Sequence, residues 1–205
     1  MYKKSTQAIL VGLVRDPEST VLGAVAFTLA TIQQQFHTVG AILDEWDQMG
    51  TDAPTCWGSK VKGVNFIETN LAVITAQLLQ FKKKQNVVGA IDLLLTIPGL
   101  NTIKASFVAQ LLGFEVGCID GQNAKMYGIN VAAFKITPKH TAKTRIAKIE
   151  SYVTLCKSLG GAESLWDNWC ELIALNQHRH FTDAEMVSDR HQELVLRYVT
   201  SRDSR

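Results

Sequence analysis

The stretch LLLTIPGLNTIKASFVAQLLGFEVGCIDGQNAKMYG, residues 93–128, decides how the rest of the chain is read. Two apolar runs of helical character flank Ile97-Pro98-Gly99-Leu100-Asn101. Pro98 lacks a backbone N–H and its ring pushes Ile97 out of helical geometry, so the first run stops there. Gly99 lets the backbone approach a neighbour closely or take a positive φ. Thr102 can cap a second helix, in which Ile103, Phe107 and Leu111 share a face and Gly113 ends the run. The first N–H groups of that helix have no partner within it. Unpaired N–H groups beside a small-residue turn make an anion site, and a DNA phosphate fits such a site without its sequence being read. A further helix, GQNAKMYGI, opens just after Asp120.

Charge is segregated around this stretch. Residues 1–81 carry five Lys/Arg and seven Asp/Glu, residues 82–149 carry ten and three, and residues 150–205 carry six and nine. The net charge of +2 therefore hides a middle third at +7. From Gly121 to Ile149 there are six basic residues (Lys125, Lys135, Lys139, Lys143, Arg145, Lys148) and no acid. A segregated basic region fits a polyanion, although acids from other segments can equally turn it into a solvated face.

The remaining sequence favours helix nearly throughout, punctuated by Pro17, Pro54, Pro98 and Pro138. Asp16-Pro17-Glu18 starts a run whose apolar positions recur at helical spacing. That helix is predicted to continue through Gln33–Gln35, with another from His37 to Met49. GTDAPTCWGSKVKG reads as a loop and NFIETNLAVITAQLLQF as a long helix. KITPKHTAKTR is a basic connection, and three C-terminal helices follow, the last capped by Thr182. The architecture expected is all-α and two-lobed. Residues 1–81 pack with 150–205 as one lobe, and residues 82–149 form the other. Apolar residues at 46% supply a core, and no run reaches the length of a membrane span. No signal peptide is read, so the compartment expected is the cytoplasm. Four widely spaced Cys without a CxxC read as buried apolar residues rather than a zinc or iron–sulfur site. There is no Walker loop, GxGxxG or Ser-His-Asp set.

Ile97-Pro98-Gly99-Leu100-Asn101, the following Ala105, and Cys118-Ile119-Asp120 together resemble the helix-hairpin-helix DNA glycosylase superfamily. The likeness covers about 35 residues, and IDGQNAKMYG is most similar to the adenine-removing branch. The chain also resembles short phage-encoded proteins, which would place it in the host cytoplasm or the virion. The resemblance implies a hairpin that grips the backbone of double-stranded DNA, often with an alkali cation on its backbone carbonyls. It implies a carboxylate at Asp120 acting on a base flipped out of the stack. The departures are specific. Asn101 replaces the second hairpin Gly, a change the turn tolerates because Asn accepts left-handed geometry. Ile103 stands where bifunctional members carry a nucleophilic Lys, and Lys104 is rotated about 100° from it on a helix, so lyase chemistry is disfavoured. The hairpin-to-Asp spacing is one residue short, and the C-terminal iron–sulfur cysteines are absent.

Each candidate residue admits two readings. Asp120 stabilises an oxocarbenium-like sugar or orients the attacking water, or else it only caps the helix from Gly121. Gly99, Leu100, Asn101 and Thr102 with Lys104, Gln122, Asn123 and Lys125 contact DNA, or the polar members form a solvated outer face. Lys82–Lys84 touch a phosphate or solvate a loop. Trp57 is a wedge at a groove or packs between lobes. Trp166 and Trp169, three apart, read as core. His178 and His180, two apart, do not share a helix face, and His37 reaches a base or is structural. The function expected is a monofunctional DNA N-glycosylase of base-excision repair. The alternative is a non-catalytic helix-hairpin-helix protein, such as a phage DNA-associated or virion protein.

Overall fold

Short polar side chains start the helices. The computed structural model describes residues 2–176 and 184–200. It contains α1 (Tyr2–Arg15), α2 (Pro17–Ala30), α3 (Val39–Met49), α4 (Ser59–Lys83), α5 (Val87–Leu94), α6 (Thr102–Leu111), α7 (Gly121–Tyr127), α8 (Ala142–Ser158), α9 (Gly161–Asn176) and α10 (Ala184–Val195). The fold is all-helical, with no strand among the described residues. Asp16, Asn86, Asn101, Asp120 and Thr141 each accept a hydrogen bond from an N–H in the first turn of the helix that follows. These are the donors a helix start leaves unpaired.

Four boundaries differ from those predicted: α4 begins at Ser59, inside the stretch read as a loop, α8 begins at Ala142, inside the basic connection, and the start of α6 and the end of α2 shift as follows. Asn101, not Thr102, caps α6: its backbone is extended (φ −100°, ψ 179°) and its Oδ1 accepts the Lys104 N–H at 3.0 Å. Thr102 is the first helical residue. α2 stops at Ala30 rather than running through the three glutamines, because Gln33 takes a positive φ of 56°. A 3-10 turn, Phe36–Thr38, then leads into α3. Thr182, His178 and His180 lie outside the described residues.

α2 forms the centre. From Thr20 to Ala30 every residue except Leu22 is buried, as expected of a helix apolar on all sides. It packs against α1, α3, α4, α6 and a π-helical turn, Leu196–Thr200, so the two ends of the chain meet on it. One hydrophobic core runs from Ile9 to Val199 and passes through all three charge segments. All four Cys are free thiols, and Cys56, Cys156 and Cys170 are buried. Among the described residues no helix is long and apolar enough to cross a membrane.

The turn between α5 and α6 is pressed onto this core. Gly99 has φ +90°, and its α-face looks at Leu29 of α2 and the Ser59 carbonyl. On α4, a Cβ at Gly63 would lie 2.5 Å from the Pro98 carbonyl oxygen. Glycine at 63 is therefore what allows the turn to seat.

Candidate functional site

α6 carries the site at its first turn. Leu100 N–H bonds Ile97 O at 3.2 Å and Lys104 N–H bonds the Asn101 cap. The N–H groups of Gly99, Asn101, Thr102 and Ile103 have no partner among the described residues. The turn thus keeps four unpaired donors, of which that of Thr102 belongs to a buried residue. The Gly99 and Leu100 carbonyls accept no hydrogen bond among the described residues, so the corner has oxygens suited to an alkali cation. No group of three or more His, Cys, Asp or Glu side chains that could hold a metal forms among the described residues.

Beyond α6 the chain runs without regular structure to Asp120, and buried side chains pair its backbone. Gln110 Oε1 accepts the Cys118 N–H (3.0 Å). Asn123 Nδ2 donates to Cys118 O (3.0 Å). The fully buried Tyr152 hydroxyl donates to Gly117 O (2.9 Å) and accepts the Ile119 N–H (2.8 Å). The peptides around residues 117–119 are therefore tied to α6, α7 and α8, which leaves Asp120 on a fixed platform.

Asp120 is half-buried, and its Oδ1 caps α7 through the Gln122 and Asn123 N–H groups, both at 3.0 Å. Burial pushes its carboxyl above the usual 3.8. The Asn123 amide, the Lys104 charge, the Gln122 amide and a hydrogen bond from Trp169 pull it back without cancelling the rise. Burial is the largest effect because the charged form is the one that loses water.

A cavity of about 210 Å³ opens at this carboxylate. Phe107, Trp166 and Trp169 make an aromatic wall, while Gln34, Gln35, Gln110, Gln122 and Asn123 bring amides. Lys104 enters the same space, its Nζ donating to Thr31 Oγ1 at 2.9 Å and lying 5.9 Å from the Phe107 ring. Lys104, Phe107 and Gln110 share the α6 face that lines the cavity, whereas Ile103 does not reach it. The rotation of about 100° separating Lys104 from Ile103 therefore puts the amine in the cavity it shares with Asp120. Asn123 is 1% exposed; its Nδ2 also donates to Leu165 O (3.1 Å), and its Oδ1 is buried without a partner among the described residues.

The sequence-predicted contact residues separate into three groups. Asn101 and Lys125 are exposed. Asp120, Lys104, Gln122 and Asn123 line the cavity, while Gly99 is half-buried at the seated turn. Leu100 and Thr102 are buried, and the Thr102 hydroxyl is committed to Phe134 O at 2.8 Å. At Leu100, Thr102 and Asn123 the side chains belong to the fold. The Lys82 Nζ donates to Leu112 O (2.8 Å) and Gly113 O (3.0 Å), closing the far end of α6. Trp57 keeps 50% of its surface exposed with the Lys60 Nζ 5.6 Å from its ring. His37 is exposed and is not one of the cavity's lining residues. Sequence reasoning missed Trp169, Phe107, Gln34 and Gln35. The run of three glutamines was the one visible signal, since three amides in a row at a helix end serve no packing purpose.

Fold and site together define an all-helical protein whose aromatic, amide-lined cavity holds one carboxylate and one amine beside a turn of open backbone donors. No protein-family model, curated protein or solved structure matches this chain.

Proposed function

We propose that α5, the Pro98-Gly99 turn and α6 act as a helix-hairpin-helix DNA-binding motif in a two-lobed protein, and that the chain is a monofunctional DNA N-glycosylase. The observation that carries this reading is the placement of Asp120 in an aromatic- and amide-lined cavity that also takes in Lys104, from the same first turn of α6 that presents the open N–H groups. A flipped base needs stacking faces and hydrogen-bonding edges, and the cavity has both. Its volume is below the roughly 300–1,000 Å³ of drug-sized pockets, which suits a single ring system.

In the reaction the bond from C1′ to the base nitrogen breaks, and its electron pair leaves with the base. Water oxygen then bonds C1′. Asp120 faces the positive sugar and accepts the water proton, while the Lys104 ammonium balances charge on the departing base, which gains a proton. An alkali cation held on the Gly99 and Leu100 carbonyls would add positive charge at the phosphate site; no step depends on it.

A non-catalytic DNA-binding protein, for example one associated with phage DNA or virions, is the second reading. The observation in its favour is that capping α7 already accounts for Asp120. The test is a panel of duplexes carrying damaged or modified bases, incubated with protein and divided into portions with and without alkali. The glycosylase reading expects alkali-dependent breaks that vanish in Asp120→Asn while binding persists, because Asn caps a helix about as well as Asp. Binding with no breaks across the panel selects the second reading. Breaks without alkali that require Lys104 would make the enzyme bifunctional.

A further inference from the structure

A second groove, of about 600 Å³, opens at the same turn and shares no lining residue with the cavity. The hairpin contributes Asn101 and Thr96, the basic connection contributes Thr137 and His140, and α8 contributes Arg145. Asp92 is the groove's one lining carboxylate among the described residues, and it is consumed by Arg145 through Nε–Oδ1 at 2.5 Å and Nη2–Oδ2 at 3.1 Å. His140 Nδ1 accepts the Thr137 N–H at 3.2 Å, so a neutral His140 carries its proton on Nε2 and offers a donor there. Asn101 Nδ2 has no partner among the described residues. Exposed Lys135, Lys139 and Lys143 flank the lining residues along a chain segment with no acid. The groove therefore offers its occupant donors from Asn101 and His140, its one lining arginine and its one lining acid neutralise each other, and the further positive charge comes from the three lysines beside it.

Resting on the DNA reading above, we infer that this groove holds the sugar-phosphate strand flanking the nucleotide in the cavity. Continuity argues for a strand over an isolated anion. Asn101 in the groove caps α6 by accepting the Lys104 N–H at 3.0 Å, and the Lys104 side chain lines the cavity, so the two sites meet at the start of that helix. One strand lying across the open N–H groups reaches both. The groove neutralises phosphates and leaves base edges unread, so it adds affinity and register without sequence preference.

The test uses the full chain and duplex DNA over a salt series. Lys135→Ala, Lys139→Ala and Lys143→Ala combined should flatten the slope of log affinity against log salt by about 0.9 for each phosphate no longer neutralised, and so by about 2–3. Phosphate-ethylation interference should lose its signal beside the target nucleotide in the same variant. If the unaltered protein binds DNA with a steep salt dependence and the triple variant keeps the full slope, the groove inference is overturned while the DNA reading stands. If the unaltered protein binds no duplex, both fall. If inorganic phosphate competes as well as a strand does, the groove is a small-anion site and the inference is again overturned.

Discussion

Two irregular segments flank α6, and they treat their backbones in opposite ways. The turn before it leaves the N–H groups of Gly99, Asn101, Thr102 and Ile103 open. The segment after it has Gly117 O, Cys118 N–H, Cys118 O and Ile119 N–H all bonded to buried side chains. An unpaired backbone group persists only where water or a ligand can meet it, while a buried one must be paired. The first segment thus keeps unpaired donors, and the second is a mount with Asp120 at its end.

The largest expected effect tests the mount through its carboxylate. Burial raises the Asp120 pKa above 3.8, so the group is protonated at a higher pH than an ordinary aspartate. The acidic limb of the pH–rate profile should therefore lie above 3.8. Over the same window this group's contribution to stability should rise as pH falls, because the folded state takes up the proton before the unfolded one. A cleavage rate that declines only below 3.8 would contradict the burial. Asp120→Asn should lower the rate by roughly 10²–10⁴-fold.

Tyr152→Phe comes next. It removes the hydroxyl that accepts Ile119 N–H and donates to Gly117 O, stranding the first at roughly 1–3 kcal/mol and leaving the second only the Cys156 Sγ at 3.3 Å. Urea unfolding should show the loss, and cleavage should slow although Tyr152 lines neither the cavity nor the groove. An unchanged midpoint would mean the segment holds itself.

Lys60 sharpens the contrast, as an open donor that faces inward. It is 1% exposed, its Nζ has no hydrogen-bond partner among the described residues, and the rings of Trp57 and Trp46, the latter at 5.8 Å, face it. Burial lowers its pKa from 10.5, so its charge costs stability at neutral pH, and that cost fades as pH rises through the folded value towards 10.5. Lys60→Met should raise stability at pH 7 by about 1–2 kcal/mol, with the gain shrinking in alkali. A loss of stability would show that the two indoles more than replace water. The smallest effect belongs to Gln33→Gly. Relief of the positive φ, less the added chain entropy, should stabilise by a few tenths to about 1 kcal/mol in thermal melts.

Local rules placed much of this molecule. Asp-Pro-Glu at 16–18, Pro98-Gly99 and Asp120-Gly121 announce helix starts and a turn because caps and proline act over one to four residues. Trp169 could not be placed that way. A tryptophan three residues from another on an amphipathic helix looks the same whether its outer face meets a core or a cavity. For Lys104 the helical wheel gave its angle from Ile103, but not that the end of α2 would close a cavity over that side of α6.

The residues in order determined that this chain is helical, that a tight corner interrupts it at 98–99 and that its cations gather in residues 82–149, since propensity, capping and charge are properties of near neighbours. Only tertiary packing decided that Asp120, Lys104 and the glutamines after α2 share one cavity. Their meeting depends on contacts between α2, α6, α7 and α9, and the closure of chain segments tens of residues apart leaves no local mark.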